Sequence, residues 1–211
     1  MAFELDAFCR LRPRLYHLTA RMNLERILRD RVLHSAERIL HSAGAGHLST
    51  DRRGESVVVG VDGARVHVRD QMPLHEGNLA FEDSWGFADL IAHLNRHVFF
   101  WPGKQDWAVG SARNYFKRYS NDDCVVLSVD TSALRDANGD TAPLFCAFNS
   151  GSPRCHGGLK APRGARTFVS SRDFERSAAG VVEFVYRDES RLPADGVDVL
   201  SVRDAARLGN R

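Results

Sequence analysis

The sequence predicts an α+β domain, and three observations carry that expectation. Stretches of strand and helix period follow one another along 211 residues without the regular alternation of a doubly wound sheet. Hydrophobic residues make up 43% and charged residues 27%, a globular balance that excludes a disordered, collagenous or coiled-coil chain. No internal repeat, low-complexity tract or linker interrupts it, so one domain is expected over residues 1–211, with residues 1–14 as a lead-in segment. A domain of that size buries most of its surface without a disulfide or metal staple.

Taken in order, Leu15-Tyr16-His17-Leu18-Thr19 reads as a strand. A helix is expected from about Met22 to Arg31, because Leu24, Ile27, Leu28 and Val32 fall on one stripe. A second covers Ser35 to Ser42 and is stopped by Gly44 and Gly46. Ser56–Val61 and Val66–Arg69 are the arms of a hairpin, since Asp62-Gly63 tolerates the left-handed backbone of a tight turn. Phe87, Leu90, Ile91 and Leu94 predict a helix over Phe87–Leu94. Val98-Phe99-Phe100-Trp101 is an expected buried strand, broken by Pro102-Gly103. A helix from about Trp107 to Tyr119 precedes a strand at Cys124–Val129. Residues 135–166 read mostly as loop, with a short strand at Leu144–Phe148; Thr167–Val169 and Val181–Tyr186 read as strands and Val202–Leu208 as a terminal helix.

No apolar run approaches the ~20 residues that span a bilayer, so no membrane partner is expected. The start, Met1-Ala2-Phe3-Glu4-Leu5-Asp6, carries acid where a signal peptide carries basic residues, which points to the cytoplasm. Cys9, Cys124, Cys146 and Cys155 form no CxxC pair and read as free thiols. Cys155-His156 near Cys146 is the nearest approach to a ligand cluster, and no metal is expected. The motifs GxGxxG after a strand, GxxxxGK[ST], GxSxG and HExxH are all absent. A net charge of +2 does not announce nucleic-acid binding. The cations are nevertheless 26 arginines against 3 lysines, through codon usage or a need for planar forks on phosphates or carboxylates.

Four stretches are richer in chemistry than a generic fold requires. In Tyr16-His17-Leu18-Thr19, alternation sends His17 and Thr19 to one face. Such a pair either holds a sugar edge or an amide, or closes a strand end with Thr19 capping the next helix. Val66-His67-Val68-Arg69-Asp70-Gln71-Met72-Pro73-Leu74 sets Arg69, Asp70 and Gln71 in a row, as a binding edge or a salt-bridged turn. Leu94-Asn95-Arg96-His97-Val98-Phe99-Phe100-Trp101-Pro102 offers an aromatic wall or plain core packing, and the next helix adds Asn114 and Tyr115. In Val181-Val182-Glu183-Phe184-Val185-Tyr186, a carboxylate shares its face with two valines. That is costly unless the carboxylate is paired or used.

These stretches carry a resemblance. Leu15–Thr19 followed by Asn23-Leu24-x-x-Ile27-Leu28 resembles the opening of DarT-like ADP-ribosyltransferases, a strand bearing His-x-Thr and then a helix. Arg69-Asp70-Gln71-Met72-Pro73-Leu74 and Val98-Phe99-Phe100-Trp101-Pro102 look like stretches of an uncharacterised bacterial family. Val182-Glu183-Phe184-Val185 is similar to the catalytic-glutamate strand of the same superfamily. The resemblance implies a split, twisted β-sheet of ADP-ribosyltransferase type flanked by helices, whose cleft holds NAD in a bent shape as substrate. It implies His17 on the nicotinamide ribose with Thr19 nearby, and Glu183 as the catalytic residue beside the anomeric carbon. Arg69 would meet the pyrophosphate, with Arg52 and Arg53 competing for that role. Tyr115 would stack on nicotinamide, with Trp101 or Phe100 as alternatives. Nothing matches the helical DNA-gripping insertions of a DNA-modifying relative, which leaves the acceptor open.

The chemistry so implied needs one carboxylate to stabilise a ribosyl cation as nicotinamide leaves. Ser152–Thr167 holds Arg154, Lys160, Arg163 and Arg166 with no acid. It is either a solvated loop or an acceptor-binding hand whose phosphate contacts give affinity. The expected function is mono-ADP-ribosyl transfer to a nucleic-acid or protein acceptor, with an antitoxin or immunity partner if the chain is a toxin. Two alternatives keep the pocket and change the acceptor, to water (an NAD glycohydrolase) or to an RNA phosphate (a 2′-phosphotransferase). A third is a ligand-binding or interaction module on the same fold without catalysis.

Overall fold

The computed structural model describes residues 3–209; Met1 and Ala2 of the lead-in, and the last two positions of the 1–211 span, lie outside them. The lead-in is a packed helix, α1 (Leu5–Leu11), which buries Phe8 and Cys9. β1 (Arg14–Ala20) runs into α2 (Leu24–Asp30), and Arg31, at φ 55°, turns the chain into β2 (Val32–His34). Ser35 caps α3 (Ala36–Ser42) by accepting from the Arg38 N–H. β3 (Val57–Val61) and β4 (Ala64–Val68) form the expected hairpin, with Asp62 at φ 53° and Gly63 at φ 77°. β5 (Leu79–Phe81) and α4 (Phe87–Asn95) precede the longest strand, β6 (His97–Lys104). β7 (Trp107–Ala108), α5 (Gly110–Arg118), β8 (Cys124–Asp130) and α6 (Thr131–Ala137) follow. β9 (Leu144–Cys146), β10 (Ala161–Arg163), β11 (Glu183–Arg187), β12 (Glu189–Arg191), β13 (Val197–Ser201) and α7 (Val202–Arg207) complete the order.

Four expectations are corrected. Pro102-Gly103 does not break β6. Pro102 stands opposite Leu15 of β1, but its carbonyl accepts from the Val109 N–H on the other side. Its backbone polar edge therefore faces away from β1, beyond Phe100, the last β6 residue paired with β11, so no ladder bond is lost there. Gly103 is needed for closeness, because a Cβ would run into the Trp107 carbonyl and the Tyr16 ring. Trp107 and Ala108 consequently pair with β6, and the helix starts only at Gly110. α6, capped by Asp130 on the Ala133 N–H, runs into the start of the stretch read as loop, and Thr167–Val169 is the end of a 3₁₀ turn (Ala165–Thr167) plus one bridge from Val169 to Phe145.

The main sheet has the order β13-β8-β1-β6-β11-β9, with β7 beside β6, and its pairings are all antiparallel. The fold is thus a mixed α and β domain with seven α-helices among the described residues. On one face Leu15, Val98, Phe100, Leu127, Phe184 and Tyr186 pack with Phe8 of α1, Ile27 of α2 and Leu134 of α6. On the other, Tyr16, Leu18 and Trp101 pack with α5 and α7, while Val185 and Cys146 pack with α4. Among the described residues, no helix is long and apolar enough to cross a membrane.

Candidate functional site in the opening of the sheet

β1 pairs with β8 along its whole length, from Arg14 to Ala20. Its pairing with β6 ends at Tyr16, opposite Trp101. From His17 onward β1 leaves β6, and the sheet opens. His17 Nδ1 lies 2.8 Å from the Phe99 carbonyl and donates to it where backbone pairing has stopped. Alternation alone would keep His17 and Glu183 apart. His17 shares the face of Leu15 and Leu127, whereas Glu183 shares that of Val185 and Phe99. The opening removes the barrier between faces, and a cavity of about 230 Å³ takes its place. His17, Thr19, Arg69, Trp101, Tyr115 and Glu183 all line it.

Glu183 is 2% exposed at the start of β11. Oε1 accepts from the Ser150 N–H at 3.1 Å, while Oε2, like Ser150 Oγ, is buried without a partner among the described residues. Burial pushes the carboxyl up to about 7; hydrogen bonding from Ser150 and the charge of Arg163 oppose that rise. Near neutral pH the group is divided between acid and carboxylate.

His17 is held neutral. Burial pulls its pKa down to about 4, only partly offset by the bond to Phe99, and the charge of Arg69 adds to the fall. With Nδ1–H committed to a carbonyl, Nε2 is left as an acceptor, suited to a hydroxyl and unsuited to a phosphate oxygen. Thr19 does not cap a helix; its hydroxyl accepts from Asn23 Nδ2 at 3.2 Å. Asn23 spends the rest of its amide on the hairpin, with both atoms 2.9 Å from the backbone of His67.

Arg69 leaves the end of β4 and lies over two tyrosine rings, 4.7 Å from Tyr115 and 4.3 Å from Tyr119. Trp101 continues the column, 4.7 Å from Tyr115. Arg69 Nη1 and Trp101 Nε1 are both buried without a hydrogen-bond partner among the described residues. The row Arg69-Asp70-Gln71 is not an ion-paired turn. Asp70 accepts from Tyr119 OH at 2.9 Å, and Gln71 Oε1 accepts from the Arg53 N–H at 3.1 Å. Arg53 lines the cavity, but its guanidinium is spent on Leu48 O, Arg69 O and Asn95 Oδ1. Arg52 donates to Met72 O and does not line the cavity, which leaves Arg69 as the arginine with donors to offer.

Other expectations land elsewhere. Phe100 is fully buried in the core, and Asn114 is exposed outside the cavity. Arg154, Lys160 and Arg166 are exposed and away from the cavity, Arg166 lying 3.7 Å from Glu175. Arg163 is corrected outright as an acceptor contact: at 3% exposure it cannot reach a macromolecule. Sequence reasoning quoted Asn23 and Asn95 without giving them a role and missed the Asn149–Ser150 turn, because short polar residues carry no periodic signal. A second cavity of about 180 Å³ adjoins the first across His17, Thr19, Asn23, His34 and Ile39, and adds Arg26, Arg38 and Arg65. Among the described residues, no group of three or more His, Cys, Asp or Glu side chains stands together to hold a metal.

Fold and site together define an α+β domain with a polar cleft opened inside its own sheet. A family model described as "Family of unknown function (DUF7002)" matches residues 13–192, and the chain belongs to that family. The matched span contains every residue that lines the cleft. No curated protein and no solved structure matches the chain.

Proposed function

We propose that the protein is an NAD-dependent mono-ADP-ribosyltransferase-like enzyme on a split-sheet fold of that type. The observation that carries the reading is the cleft itself, where a buried carboxylate with one bare oxygen faces the same cavity as a neutral imidazole and a ring-stacked arginine. Neither cavity alone reaches the ~300 Å³ usual for a small-molecule site, but the two adjoin, which supports an elongated ligand such as a dinucleotide.

In this reading Arg69 meets the pyrophosphate through Nη1, and Tyr115 and Trp101 flank the nicotinamide. His17 Nε2 accepts from a ribose hydroxyl and fixes the sugar for cleavage in one geometry. As the C–N bond to nicotinamide breaks, positive charge develops on the anomeric carbon and ring oxygen. Ionised Glu183 stabilises that charge through Oε2, and can also take the proton of the acceptor. The acceptor is a nucleic acid or a protein; if it is water, the enzyme is an NAD glycohydrolase. The proposal assigns the reaction to the cytoplasm, where NAD is present and unpaired cysteines stay reduced.

The test is nicotinamide release from NAD by purified protein, with NAD binding measured by calorimetry. Glu183→Gln is expected to lower turnover on the order of 10²–10³-fold while affinity falls much less, because the charge is needed mainly in the transition state. His17→Ala is expected to weaken binding as well. Nicotinamide release at the same rate from wild type and Glu183→Gln would remove the enzyme reading in favour of a binding module.

A further inference from the structure

Arg163 is a buried cation with no carboxylate within salt-bridge distance among the described residues. Its surroundings are specific. Nη2 donates to Asn149 O at 3.0 Å, Nε to Ser150 O at 3.4 Å and Nη1 to Pro162 O at 2.8 Å, and the guanidinium lies 3.9 Å over the Phe148 ring. The carbonyl of Asn149 and the N–H of Ser150 belong to one peptide unit. That unit therefore accepts from Arg163 at one end and donates to Glu183 Oε1 at the other. A hydrogen bond at each end of one peptide polarises it further, so each strengthens its partner. The anchor behind Arg163 is firm. β10 pairs in parallel with β5, the Arg163 carbonyl accepts from the Glu82 N–H at 2.8 Å, and Asp83 accepts from the Ala165 N–H at 2.8 Å.

We propose that Arg163 is a positioning residue for the reaction above: through the Asn149–Ser150 peptide it holds Oε1 of Glu183, leaves Oε2 to the cleft and favours the ionised carboxylate. The inference rests on the proposed function for its kinetic consequence, but not for its physical content. Few other groups act on Glu183. Cys146, its partner across β9, is a thiol that burial pushes well above its ordinary value, so it stays neutral. The other charged or titratable groups lining the cleft are His17, His34, Arg53, His67, Arg69, Asp70, His97 and Tyr115, and none of them enters the balance of burial, Ser150 and Arg163 that sets Glu183. Among the described residues, Arg163 is the charge that acts on it.

The experiment is a carbon-13 NMR titration of Glu183 in the full-length free protein, for wild type, Arg163→Gln and Arg163→Lys. It is paired with the pH profile of nicotinamide release. In Arg163→Gln the cation is gone, and the Glu183 titration is expected to move upward by about one unit or more. Arg163→Lys keeps the charge but loses the fork, and is expected to move it less, in the same direction. Turnover of both variants is expected to be lowest at acid pH and to return toward wild type as pH rises past the shifted titration. An unmoved titration in a folded variant, or turnover lost equally at all pH values, would overturn the inference. If Arg163→Gln fails to fold, Arg163→Lys decides. If wild type releases no nicotinamide, the proposed function falls, and the titration alone still decides the role of Arg163.

Discussion

Glu183 carries a thermodynamic signature apart from any activity. Its folded pKa of about 7 stands above the ordinary 4.5, so the folded chain holds a proton that the unfolded chain has released. Stability from this group is therefore greatest below about pH 4.5 and is lost as pH rises through about 7. The amide in Glu183→Gln keeps the acceptor for the Ser150 N–H and has no charge to bury. The variant is expected to be more stable than wild type at pH 8, on the order of 3 kcal/mol, with the difference closing toward pH 4.5. Urea unfolding of both proteins at the two pH values checks this. A gain of equal size at both would mean that packing, and not ionisation, sets the difference. The same ionisation gives catalysis its sign: turnover should rise with pH through about 7, and His17, neutral above about pH 4, adds no limb in that range.

At the scale of elements, the β3–β4 hairpin carries Arg69 to the cleft, and Asn23 ties it down. Both amide atoms of Asn23 bond the backbone of His67, two residues before Arg69. Arg26 adds a second tie, to Val61 O and Asp62. Asn23→Ala removes two side chain-to-backbone hydrogen bonds, each contributing roughly 1 kcal/mol. Amide exchange over residues 64–69 is expected to quicken about tenfold or more while β8, paired on both sides within the main sheet, is unchanged, and NAD binding is expected to weaken. Exchange that quickens equally in β8 would show that Asn23 supports the whole fold, not the hairpin.

At the scale of the molecule, exposed cations stand in the acid-free stretch that precedes β11. Among the described residues, Arg154 and Lys160 have no ion-pair partner within salt-bridge distance, and Arg166 has the exposed Glu175 alone. Replacing Arg154, Lys160 and Arg166 together by alanine is expected to weaken binding of a fluorescent single-stranded RNA. The slope of log affinity against log salt should flatten by about 2, with NAD affinity unchanged. An identical salt slope in wild type and triple variant would return these residues to the solvated surface.

The division between sequence and structure follows from which interactions are local. Strand and helix periods, the Asp62-Gly63 turn and the oddity of Glu183 beside Val181 and Val185 are properties of a few neighbouring residues, so they were legible in the chain. So were six of the residues that line the cleft, although the face assigned to them by alternation was not what brought them together. α6 was missed because Leu134 is its single large apolar residue and marks no stripe, and α1 because it lay within the stretch read as a lead-in. Pro102 looked like a stop because its harmlessness depends on which neighbour its backbone faces. Arg163 read as a surface cation in a basic loop, and its burial depends on the pairing of β10 with β5, more than 80 residues earlier. The sequence by itself determined the elements and the chemistry available to them. Only the tertiary structure decided that β1 follows β8 to Ala20 but leaves β6 at Tyr16, because strand pairing is set by distant partners. That one mismatch in pairing length opens the sheet and gives His17 and Glu183, from opposite faces, a single cavity.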